Sequence, residues 1–214
     1  MNSKTTQPRW QRRAEDRPRE ICAAALEVFA EKGFAAAKLD EIARRAGVSK
    51  GTLYLYFADK EQLFRAVVRD SIAPNVETII STLGSVELPF SQIVPAFFAA
   101  FAQNIGRLPV GSVAKMVIGE SRNFPELARV WHDEIASKAI GAIAGLVAKA
   151  QEKGEVREGD PRLYAFSLMG PMILGALWTT TLVPVGGEPI DLPALAAQHS
   201  RTVLSGLLVK RGPK

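Results

Sequence analysis

Covalent or proton chemistry in this 214-residue chain would have to come from two histidines, one cysteine and scattered carboxylates. Their spacing gives no such site. His132 stands beside Asp133 and Glu134, but adjacent residues on a helix do not face one another, and His199 is far along the chain. No GxSxG, CxxC, HExxH or phosphate-loop pattern occurs. The pair Gly186-Gly187 lacks a strand–turn–helix setting. One cysteine and two distant histidines provide neither metal-ligand spacing nor an intramolecular disulfide. Cys22, among Ala23, Ala24 and Ala25, reads as a small core residue. Catalytic residues, metals and cofactors are therefore not expected.

A different chemistry is concentrated between residues 38 and 60. Ser49-Lys50-Gly51-Thr52, followed by Tyr54 and Tyr56, groups hydroxyl donors, a mobile cation and a glycine. Such a set suits phosphate contact at a helix N-terminus, with the glycine permitting close approach. The flanking pattern supplies the elements that would hold it. Leu39, Ile42, Ala43 and Ala46 make one helix face. Gly47 falls where a C′ residue needs positive φ, Val48 plugs the corner, and Ser49 is an N-cap. Leu53 and Phe57, four apart, point inward together. Helix, glycine-containing turn, helix is the helix-turn-helix arrangement, whose second helix enters the DNA major groove.

Charge agrees with this placement. Residues 1–60 hold 12 Lys+Arg against 8 Asp+Glu, and residues 61–214 hold 15 against 14. The excess of positive charge thus lies with the helix-turn-helix, as DNA binding requires. Six of those twelve charges lie in residues 4–19, so a solubilising basic tail is the competing reading. Two readings also stand for Tyr54 and Tyr56, DNA contact or core packing. For Arg44 and Arg45 they are backbone contact and solvated charge.

Three motifs, AALEVFAEKGF (24–34), DEIARRAGVSKGTLYLYF (40–57) and DKEQLF (59–64), resemble the DNA-binding domain of the TetR family of transcriptional regulators. The resemblance covers residues 17 to about 69. It implies that Thr52, Tyr54 and Tyr56 touch DNA and that Lys60 contacts a phosphate. One departure is visible: Ala37 and Lys38 stand where the family usually has Thr or Ser. The first helix of the pair then lacks a side-chain cap. Lys38 can still reach a phosphate, but the family's hydroxyl contact does not carry over.

The remainder shows helical patterns and no strand signals, so the fold class is all-α: a three-helix DNA-binding domain followed by a larger helical bundle. Pro18 suits the first turn of a helix. The expected divisions are a flexible basic arm at 1–16, the DNA-binding domain at 17–60, and a ligand-binding and dimerisation domain at 61–214. A helix from Asp59, with a capping box to Gln62, links the parts and should kink at Pro74. From Pro125 to Lys153 a long helix carries the row Leu127, Trp131, Ile135, Ala139, Ala142, Leu146 and Ala150. Phe98, Phe101, Met116, Trp131, Met172 and Trp178, with Glu120 as a polar group, are the candidate lining of an effector cavity; core packing is the alternative for each. The family resemblance implies such an effector. The segment VIGESRNFPELARVWHDEI (117–135) resembles regulators of efflux pumps and points to an amphipathic or hydrophobic one.

Leu163 to Gly187 carries no charge and is long enough for a bilayer. Pro171, Pro184, Gly170, Gly175 and Thr179-Thr180-Thr181 argue instead for a helix in a subunit interface. Gly170, Gly175 and Ala176 on this helix, and Ala196, Ala197, Ser200 and Gly206 on the last, would allow close approach in a C₂ homodimer. The N-terminal MNSKTTQPRW has no apolar core, which fits no secretory signal and a cytoplasmic location. The function expected is a ligand-responsive repressor that binds a palindromic double-stranded operator as a dimer and is released by a small effector. An activator or a less specific DNA binder would use the same helix-turn-helix.

Overall fold

The computed structural model describes residues 9–85, 87–104 and 110–209. Among these, helices are the only regular elements, apart from one isolated antiparallel bridge between Val156 and Leu208. They form two compact units. Unit 1 comprises the chain up to Pro74 together with Met116–Val130; unit 2 comprises Asn75–Lys115 and the chain from Trp131 on.

Unit 1 is built on α1 (Arg9–Ala36), α2 (Leu39–Arg45), α3 (Lys50–Tyr56) and α4 (Lys60–Val67). Residues 9–16, expected in a flexible arm, are the opening turns of α1, and Pro18 lies inside that helix. A proline there removes one helical hydrogen bond without ending the helix. Residues 1–8 of the expected arm lie outside the described residues. The core side of α1 presents Ile21, Ala25, Val28 and Phe29, all fully buried. Cys22 is buried with them, and burial pushes its thiol up to about 12, with Asp70 adding to the shift. It is an inert core group.

A domain edge at residue 60 does not match the packing. Leu63, Phe64, Val67 and Val68 have no exposed surface, and Phe64 packs edge-on against Phe29 and Phe34, both with centroids 5.9 Å apart. Phe124 joins from the second segment at 5.0 Å from Phe34. These rings add edge-on aromatic contacts to the core that α1, α2 and α3 share.

The kink expected at Pro74 is a π turn at Val68–Ile72, in which Ala73 N–H reaches back to the Val68 carbonyl. The wider turn ends where Pro74, lacking an N–H, enters α5 (Ala73–Ser85).

Unit 2 holds most of α5, then α6 (Phe90–Asn104), the start of α7 (Val110–Glu120), α9 (Ser137–Glu152), α10 (Pro161–Leu177) and α11 (Leu192–Leu207). The short α8 (Pro125–Trp131) belongs almost wholly to unit 1. Asp160 and Asp191 cap α10 and α11 by accepting from Arg162 N–H at 2.8 Å and Ala194 N–H at 2.9 Å. The core gathers Phe90, Phe98, Val147, Ala165, Leu168 and Met172. Along α9 the buried row is Ile143, Val147 and Ala150; Ala139, Ala142 and Leu146 are half-buried. A second π turn, His132–Ala136, inserts a residue into the helical repeat and shifts the expected row. The same turn brings His132 Nδ1 to 2.7 Å from Asp133 Oδ1, against the expectation that neighbours do not meet. Both are exposed, so the pair contributes little.

By length and composition, Pro161–Val185 could cross a bilayer. Its buried residues, among them Ala165, Leu168, Met172 and Ala176, pack in the unit 2 core beside α9 and α11. Leu163, Phe166, Ile173 and Leu174 remain exposed.

Candidate nucleic-acid interface

The corner between α2 and α3 is closed by the backbone alone. Val48 N–H donates to the Ala43 carbonyl at 2.9 Å and Gly47 N–H to the Arg44 carbonyl at 3.2 Å, the Schellman pattern, with Gly47 at φ 66°. Ser49 Oγ then accepts from Thr52 N–H at 3.0 Å and shares a hydrogen with Thr52 Oγ1 at 2.8 Å. Leu53 and Phe57 are buried below. At the start of α2, Lys38 makes no side-chain cap, as its type implied.

This framework turns several predicted residues outward together. Lys38, Arg44, Lys50 and Gly51 are exposed, and Thr52 is half-buried. Tyr54 and Tyr56 keep 45% and 38% of their surface exposed, so neither is a core residue. Lys50 pairs with Asp40 at 2.7 Å, both solvent-facing, and that bond raises the Lys50 pKa. A Cβ added at Gly51 would meet only Ser49 Oγ, at an ordinary 3.8 Å. Nothing within unit 1 requires glycine there, which suits close approach by a body outside it.

Two cations point elsewhere. Arg45 forks onto Glu31 at 2.8 and 2.6 Å and reaches Glu41 at 3.0 Å, while Lys32 holds the other Glu41 oxygen at 2.6 Å. That network ties α1 to α2. Lys60, expected on a phosphate, directs its ammonium inward to the carbonyls of Phe34, Ala35 and Ala37 at 2.6, 3.1 and 3.0 Å. Its three donors are all used. One residue escaped the sequence reading: Leu55, on α3, is 83% exposed. Its position two residues from Leu53, off the core row, was the available signal.

The proposed effector-lining residues are not brought to one cavity. Phe98 and Met172 are sealed in the core of unit 2, with Phe98 stacked on His199 at 5.1 Å. Phe101, Trp131 and Trp178 are half-buried, and Trp178 Nε1 donates to the Glu188 carbonyl at 2.8 Å. Met116 is buried in unit 1. Glu120, also there, accepts from Phe34 and Ala35 N–H, each at 2.7 Å. Its carboxylate is thus already committed. Unit 2 instead carries a cleft of about 360 Å³ among Ile80, Leu88, Ile93 and Leu146, with Lys149, Lys153, Glu87 and Glu155 on its wall, Glu155 accepting from Phe90 N–H at 2.6 Å. Neither lysine has an ion-pair partner among the described residues. Their four-residue spacing, on the last turn and C-cap of α9, was legible in the sequence.

Residues 21–67 match the family described as bacterial regulatory proteins, tetR family. Residues 93–194 match the C-terminal domain of AefR-like transcriptional repressors. The chain belongs to the TetR family. Like its family it is a ligand-responsive transcriptional regulator. The fatty acid metabolism regulator protein of Bacillus subtilis is 25% identical over 190 residues, 88% of this chain and 94% of the relative. The crystal structure of Bacillus subtilis FadR in complex with stearoyl-CoA superposes with a TM-score of 0.73 at 23% identity, covering 88% of this chain and 98% of that one. NalD, the secondary repressor of a multidrug efflux pump in Pseudomonas aeruginosa, gives 0.69 at 21% identity, covering 91% and 98%. Both likenesses concern the fold.

Proposed function

We propose that this TetR-family regulator is a cytoplasmic dimeric repressor that reads an operator with α3. Lys38, Arg44, Ser49, Lys50, Gly51, Thr52, Tyr54 and Tyr56 supply the contacts, and Leu55 touches a thymine methyl or sugar edge. One observation carries this reading: Lys38, Arg44, Lys50, Gly51 and Tyr54 lie exposed on a corner that is closed by backbone bonds and by the Ser49–Thr52 cap. A seven-residue helix reads few base pairs, so two copies on successive half-sites supply specificity. The exposed row of α10 is the proposed dimer seam.

For the effector we favour an anionic amphiphile, an apolar chain with a carboxylate or phosphate head. Two unpaired lysines beside an apolar cleft favour it, and the stearoyl-CoA complex of the related FadR fold lends support. Binding shifts the population away from the form that fits the operator. A duplex is first selected from a random pool by the purified protein. Stearate and octadecanol are then titrated into that complex. Release by stearate alone, lost in Lys149→Ala/Lys153→Ala, supports the reading. Release by octadecanol equally well would remove the anionic head from it.

A further inference from the structure

The helical conformation of α1 breaks at Gly33, and the elbow from there to α2 is held by residues outside it. Gly33 turns the chain at φ 78°, and the next two amides, Phe34 and Ala35, each donate to one oxygen of Glu120, both at 2.7 Å. The elbow's carbonyls are taken by Lys60 (above). Immediately after them α2 begins at an N-cap, Lys38, whose side chain caps nothing. The support that a Ser or Thr would give locally is thus supplied from a distant segment of the chain, at the C-terminal end of α7. Phe124, four residues past Glu120, adds its ring to Phe34 at 5.0 Å.

The chemistry is specific to a carboxylate. Two converging N–H donors need two acceptors, and an ionised Glu offers only acceptors. Gln would keep one oxygen and turn an NH₂ toward the other amide. Gly33 belongs to the same device. A Cβ there would stand 2.5 Å from Glu120 Oε1, in a backbone conformation that side chains disfavour. Glycine is required once for the turn and once for the approach of the carboxylate.

We infer that Glu120 is a positioning residue for DNA binding: by capping the Phe34 and Ala35 amides it fixes how α2, and with it α3, leaves α1. It touches no DNA. The inference rests on unit 1 being the DNA-binding unit.

The test uses full-length protein and the duplex selected by the wild type. Affinity is followed by fluorescence anisotropy over a salt series, and backbone protection by amide exchange. Glu120→Gln and Gly33→Ala are each expected to weaken binding at least tenfold. The salt slope should stay at the wild-type value, since no phosphate contact is removed. The double variant should bind no worse than the weaker single one, because both changes break one contact. Phe34 and Ala35 N–H should exchange faster while Leu53 N–H, within α3, stays protected. Three results would each overturn the inference: affinity within twofold of wild type, fully additive losses, or equal loss of protection at Leu53, which would make Glu120 a general support of the unit. A wild type that selects no duplex would instead sink the DNA-binding reading, and this one with it.

Discussion

The ammonium of Lys60 stands 4.6 Å from the centre of the Phe34 ring and 2.6 Å from the Phe34 carbonyl oxygen. Burial lowers its pKa, with the charge of Glu120 working in the opposite sense. A lysine in this setting acts on the fold. Lys60→Ala strands carbonyl groups at the elbow and should destabilise unit 1 by on the order of 1–3 kcal/mol, read as a lower urea midpoint. The salt slope of operator binding should not change. A slope reduced by about 1, with the midpoint intact, would return Lys60 to a phosphate.

Lys50 is the opposite case. Its partner Asp40 lies on the same exposed surface, so DNA must compete with it for the ammonium. Lys50→Ala should weaken binding at all sequences and reduce the salt slope by about 0.9. Asp40→Asn should tighten binding, most at low salt, by freeing the lysine and removing a repelled charge. Anisotropy at two salt concentrations decides both. Looser binding by the Asn variant would mean that the pair positions Lys50.

The corner of the DNA-binding unit was legible because its signals are local. Gly47 for positive φ, Ser49 as a cap and Leu53 with Phe57 as an inward pair each depend on neighbours within a turn or two. Asp59 behaves as expected too, accepting from Gln62 N–H at 2.7 Å, although Gln62 returns its bond to Ala58 N–H rather than to Asp59. What sequence could not supply was long-range or register-changing. Glu120 meets an elbow 85 residues away, and nothing in its own surroundings announces two converging amides. The π turn at His132–Ala136 leaves no periodic trace, and in α9 Ile143 and Val147 are buried in place of Ala142 and Leu146, while Ala150 keeps its expected place. Large apolar residues on separate helices, such as Phe98 and Met172, read equally well as cavity lining and as core.

The exposed row on α10 yields a prediction about assembly. Leu163, Phe166, Ile173 and Leu174 keep 64, 55, 44 and 64% of their surface exposed, and Gly170 among them leaves room for a close partner. An apolar stripe on a heptad-like spacing demands cover. With α10 as the proposed dimer seam, the wild type should scatter as a dimer and Leu174→Glu as a monomer, with operator binding weakened by at least tenfold, since single half-site contact remains. Far-UV circular dichroism should not change. An unaltered mass would place the seam elsewhere.

Acid should act on unit 1 through the Arg45 network. Glu31 is held below the usual carboxylate range chiefly by its bond from Arg45, and Glu41 by Lys32 first and then Arg45. A carboxylate whose folded value is depressed stabilises the fold above its unfolded value, about 4.3. That contribution fades as pH falls through the folded value. Wild type should therefore exceed Arg45→Gln in thermal midpoint by a constant margin from about pH 6 upward, and the margin should close as pH drops below about 4. Thermal melts at several pH values check this. A margin that persists unchanged into acid would mean that the arginine stem carries the tie and its charge does not.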